Sequence, residues 1–94
     1  MENIVLELID TLKITSTTKA RFKESFQLML GAKSKTDGTN FRFELGGMLS
    51  SLEAESVITT AELENVNKAI GAVWKAKSRA FYFTERAIEK AQKT

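Results

Sequence analysis

Residues 59–92 read TTAELENVNKAIGAVWKAKSRAFYFTERAIEKAQ, and this stretch decides the fold. Thr59 is followed three residues later by Glu62, the pairing that satisfies free N–H groups at a helix start. From there Leu63, Val66, Ile70, Val73, Lys77, Ala80, Thr84, Ala87 and Ala91 alternate in steps of three and four. Trp74, Phe81 and Ile88, each seven apart, widen the same stripe. The spacing predicts one helix carrying a heptad-like seam with a bulky flank. Gly71 is the only helix-weakening residue within it.

A helix over 60–92 is about 50 Å long at 1.5 Å per residue. A compact domain of this size is only about 26 Å across. The helix must therefore overhang, or bend at Gly71. An overhang leaves an apolar side that needs cover, and a second copy of the same helix is the simplest cover. The expected oligomer interface is Leu63, Val66, Ile70, Val73, Trp74, Lys77, Phe81, Thr84 and Ile88. Trp74 is expected to be largely buried on the flank of the seam, beside Phe81 or an aromatic of the second helix. Lys77 lies inside the seam. It can snorkel past its neighbours, pair with an acid such as Glu53 or Glu55, or set the register of an oligomer.

The remaining chain predicts three shorter helices. Ile4, Val5, Leu8, Ile9 and Leu12 give an amphipathic helix over about 2–13. "ITSTT" breaks it and offers Ser16 and Thr17 as N-caps. Phe22, Phe26, Met29 and Leu30 share one face of a helix over about 17–33. "KSKTDGTN" reads as a loop centred on Asp37-Gly38. Phe41, Leu45, Met48, Leu49 and Leu52 then predict a helix over about 40–55, in which Gly46 and Gly47 would let another helix approach closely. The expectation is one all-α domain over 1–94, a small oligomeric bundle of three shorter helices and a long C-terminal one.

Composition agrees. The 94 residues include no proline and five glycines, too little punctuation for a sandwich or barrel. The absence of cysteine and histidine removes disulfides, thiolate metal sites, cysteine nucleophiles and imidazole acid–base chemistry. "TDGTN" has a single carboxylate and does not match a calcium loop. No cofactor is expected, and catalysis is not. The first ten residues, MENIVLELID, lack a basic leader and a long apolar run, so neither a signal peptide nor a membrane span is expected. The expected compartment is the cytosol of its own cell or of a host.

Two surfaces carry candidate function. On the back of the long helix, Lys68, Lys75, Arg79, Arg86, Lys90 and Lys93 lie opposite the seam, with no acid between Glu64 and Glu85. Phe81, Tyr82 and Phe83 are consecutive, and residues about 100° apart cannot share a face. Phe81 belongs to the seam, whereas Tyr82 and Phe83 flank the cations. They are candidate anchors for a protein partner or, with the cations, for stacking on nucleic acid. The second surface is Lys19, Arg21 and Lys23 at the start of the second helix, where free N–H groups also favour anions. A solvated basic face is the commoner use of such cations. The net charge of +2 favours a protein partner and self-association over nucleic acid.

Overall fold

Hydroxyl side chains start three of the four helices in the computed structural model, which describes residues 2–92. Lys93 lies outside them. The helices are α1 (Glu2–Thr11), α2 (Ser16–Leu30), α3 (Lys35–Ala54) and α4 (Thr60–Gln92). The described residues contain no strand, so the chain is all-α as expected. At the start of α4 the Thr59 N–H donates to Glu62 Oε1 (2.9 Å) and the Glu62 N–H donates back to Thr59 Oγ1 (3.1 Å). This is the reciprocal cap read from the sequence. At α2 the cap is Thr15, not Ser16 or Thr17; its Oγ1 accepts from the Thr18 N–H at 3.1 Å.

The segment read as a loop is the start of a helix. Ser34 has extended backbone, and its Oγ accepts from the Asp37 N–H at 3.1 Å, so α3 begins at Lys35 rather than near residue 40. Serine and aspartate mark turns because their side chains bond nearby backbone, and the same ability suits a helix N-terminus. Asp37 in the first turn also meets the favourable end of the helix dipole. The neighbouring helices are correspondingly shorter. α1 stops at Thr11 instead of 13, and α2 stops at Leu30 instead of 33, closed by the Gly31 N–H on the Gln27 carbonyl (2.9 Å). α3 ends with Ser56 in the left-handed region (φ 60°), its N–H donating to Glu53 O and the Val57 N–H to Leu52 O, both at 2.9 Å. These two bonds satisfy carbonyls that the helix end leaves free.

Consecutive helices are neighbours, and α4 also packs on α1 and, less closely, on α2, while no Cα of α1 lies within 8 Å of one in α3. Val5 and Ile9 from α1, Phe22, Phe26 and Met29 from α2, Leu45 and Leu49 from α3, and Val66, Ile70 and Val73 from α4 form one core. The N-terminal part of the expected oligomer interface is thus a monomer core. Leu63, Val66, Ile70, Val73 and Trp74 face the chain's own helices, because α1–α3 already cover that length of seam.

α4 continues unbroken through Gly71. The molecule measures 56 × 23 × 22 Å with a radius of gyration of 15.4 Å. A compact chain of this length has a radius of gyration of roughly 12 Å. The difference is the overhang: every residue from Tyr82 to Gln92 is exposed.

A close approach does occur at a glycine, but not at Gly46 or Gly47. A Cβ on Gly47 would meet nothing within 4 Å, and one on Gly46 only the Arg42 guanidinium at 3.8 Å. A Cβ on Gly38 would instead fall inside the Trp74 indole. Trp74 is therefore half-buried against the first turns of α3, at the edge of the core rather than largely buried.

Opposite signs are expected for alanine at two of these glycines. Gly38→Ala should lower stability by about 1–3 kcal/mol through overpacking, offset by at most about 1 kcal/mol of helix propensity. Its native tryptophan emission should shift to the red as the indole is displaced. Gly47→Ala should raise stability by up to about 1 kcal/mol. Urea titrations followed by tryptophan fluorescence check both.

Candidate partner-binding arm

The projecting end of α4, residues 77–92, has a length of about 24 Å and is called the arm below. Thr84 and Ile88 continue the line of Val66, Ile70 and Val73, but nothing in the chain covers them. Ile88 is 53% exposed, Tyr82 52% and Phe83 66%. Phe81 is half-buried, and Lys77 Nζ lies 5.1 Å from its ring centroid. Lys77 is thus held over its own helix neighbour rather than paired with Glu53 or Glu55. That contact lets the cation sit in the seam at a modest cost, since a ring face attracts it.

Tyr82 and Phe83 meet edge to face, with centroids 5.8 Å apart, and the Arg86 guanidinium carbon lies 5.8 Å from the Tyr82 centroid. With Ala87 and Lys90 these side chains line a shallow hollow of about 420 Å³. Aromatics thus point to three sides of the arm at one level. A helix apolar on several sides is usually enclosed on several sides. Lys68, Lys75, Arg79, Arg86 and Lys90 are all exposed, so the basic face read from the sequence is open to solvent.

At the root of the arm, Glu2, Asn3, Leu30, Val73, Ala76 and Lys77 line an open groove of about 600 Å³. It joins the starts of α1 and of the arm to the end of α2. Its lining combines apolar Leu30, Val73 and Ala76 with one acid and one cation.

The second basic surface is different. Lys23 Nζ forms an ion pair with Asp10 Oδ1 at 2.7 Å, and Lys19 Nζ donates to the Asp10 carbonyl at 2.7 Å. Two of its three cations therefore tie α2 to the C-terminal end of α1, where the helix dipole favours positive charge. Arg21 forms no ion pair among the described residues and lines a hollow with Phe22, Gly47 and Met48. The Lys23 hydrogen bond holds the Asp10 carboxyl below its ordinary value near 3.8.

Two features escaped the sequence reading. Phe43 is 74% exposed on α3, as its position about 200° from the inward Phe41 requires. Arg42 reaches from α3 to α4, where its Nη2 donates to Asn67 Oδ1 (2.7 Å) and to the Asn67 carbonyl (3.3 Å). Burial lowers its pKa, but an arginine stays charged at neutral pH.

These elements define a small four-helix protein with one helix extended into an amphipathic, aromatic arm. No protein-family model, curated protein or solved structure matches the chain.

Asp10 provides a test of the α1–α2 clamp. A carboxyl with a depressed folded-state pKa stabilises the fold above its unfolded value and loses that contribution as pH falls through the folded value. Asp10 should titrate below 3.8, and Lys23→Ala should move it back up toward that value. Carbon-detected NMR titration of the side-chain carboxyl reads both. An unchanged Asp10 pKa in the variant would show that the ion pair does not form.

Proposed function

We propose that this chain is a non-enzymatic protein-binding module, an adaptor, an inhibitor or a structural subunit, that works as a homo-oligomer through the arm of α4. The observation that carries the reading is the uncovered half of the seam. Phe81, Thr84 and Ile88 extend a core that the chain's own helices bury up to Val73. An apolar strip held out on a helix costs solubility unless something covers it. Tyr82 and Phe83, on other sides of the same turn, are the anchors offered to a further protein, since buried aromatics dominate interface energetics. Among the described residues no helix is long and apolar enough to cross a membrane. The compartment that suits the reading is the cytosol.

One observation favours a second reading, nucleic-acid binding. Lys68, Lys75, Arg79, Arg86 and Lys90 form an exposed basic stripe beside Tyr82 and Phe83, the combination that tracks phosphates and stacks bases. It ranks second because Lys19 and Lys23 are engaged at Asp10 and the net charge is only +2.

Light scattering at high micromolar concentration should show an oligomer. Ile88→Glu should convert it to monomer with its helical circular dichroism intact. Ile70→Glu should instead unfold the chain, because it buries an unpaired charge in the core. A wild type that stays monomeric overturns the preferred reading. Anisotropy titrations with DNA and RNA at two salt concentrations test the other. Binding that falls steeply with salt and is lost on Arg79→Ala plus Arg86→Ala would establish it.

A further inference from the structure

We infer that the second copy docks antiparallel, arm against arm with the two-fold axis beside Phe81, and that each arm's tip enters the groove at the root of the other. This deepens the self-association proposed above and rests on it.

Orientation follows from the bundle. The seam of the arm faces the same side of α4 as the core, because Thr84 and Ile88 continue the line of Val66, Ile70 and Val73. Two parallel arms, seam to seam, would bring both sets of α1–α3 to the same level between the two long helices. Helix axes in contact lie about 8–10 Å apart, which leaves no room for them. Parallel pairing would also face Lys77 with Lys77. Antiparallel pairing places the bundles at opposite ends and closes the assembly with an isologous contact.

Area and charge set the register. A pair of arms about 24 Å long and 10 Å wide buries on the order of 500 Å² in all, whereas a stable interface needs about 1,200 Å². The pair must therefore engage more than the arms. The adjoining apolar surface is the groove of about 600 Å³ lined by Leu30, Val73 and Ala76, which also includes Lys77, the first residue of the arm.

In an antiparallel pair, facing residues lie equally far on either side of the axis. With the axis beside Phe81, Ile88 falls at the level of the second copy's Trp74, one residue along from Val73 of the groove lining. Lys77, at the middle of the seam, comes level with the second copy's Glu85 on its edge. The two positions are about 80° apart on a helix, a distance that a lysine stem spans. Among the described residues neither Lys77 nor Glu85 forms an ion pair within its own chain.

Charge reversal tests the register. Lys77→Glu and Glu85→Lys should each raise the dimer dissociation constant about tenfold or more, since like charges then face each other twice per dimer. The double variant should return to within about threefold of wild type. Sedimentation equilibrium reads these constants. The chain contains no cysteine, so a single cysteine at Lys68 or at Lys90 can carry a spin label in an otherwise unreactive protein. Labels at Lys68 should lie roughly 40 Å apart or more in the dimer, and labels at Lys90 roughly 30 Å apart. Equal short distances at both positions, or single reversals without effect on an oligomer that persists, would overturn this arrangement and leave self-association standing. A monomeric wild type would overturn both, and a monomer that binds DNA or RNA through the arm would assign the arm to nucleic acid.

Discussion

Three helices of 10, 15 and 20 residues cannot cover a fourth of 33. At 1.5 Å per residue, α3 reaches about 30 Å and α4 about 50 Å. Every other property of the molecule depends on that mismatch. Where the short helices reach, the seam of α4 is core. Where they stop, the same pattern continues into solvent as an arm. The apolar residues differ little in kind along the helix, and only what lies opposite them changes.

The helices that do pack are fixed by a few specific contacts. The Trp74 indole rests on Gly38 of α3, where an added Cβ would collide with it. Arg42 bridges α3 to Asn67 of α4, and Ser25 Oγ donates to Glu44 Oε1 (3.2 Å) between α2 and α3. Lys19 and Lys23 hold α2 against the end of α1 through Asp10. Apolar burial supplies most of the driving force for the fold. These polar contacts select the relative placement of the helices, because each has one geometry in which it is satisfied.

Charge is divided in the same way. Cations near the bundle neutralise an acid and a helix end. Cations on the arm remain exposed on the face opposite the seam, with rings set between them and the apolar strip. A surface of this kind can steer an acidic partner by its field and hold it by its aromatics. The groove at the root of the arm adjoins the seam, and a second copy is the occupant proposed for it.

The sequence by itself determined the helical class and the long C-terminal helix. Period 3.6 and period 7 patterns act locally, and the Thr59–Glu62 cap needs only neighbouring residues. Phe22, Phe26, Leu45 and Leu49 were legible as core for the same reason. The sequence also showed that the last helix outruns its domain, because chain length bounds domain size. Its reading failed at 33–40, where serine, aspartate and glycine serve a turn and a helix start equally well. Gly38 lies three residues before Phe41 on the inward face, yet its purpose is visible only once Trp74 is known to lie opposite. The pairing of Lys19 and Lys23 with Asp10 also joins two helices across a turn, which periodicity does not encode. Tertiary structure alone decided where along α4 the seam stops being core. Ile70 and Ile88, about five helical turns apart, point the same way, and one is buried and the other exposed because α1–α3 end between them.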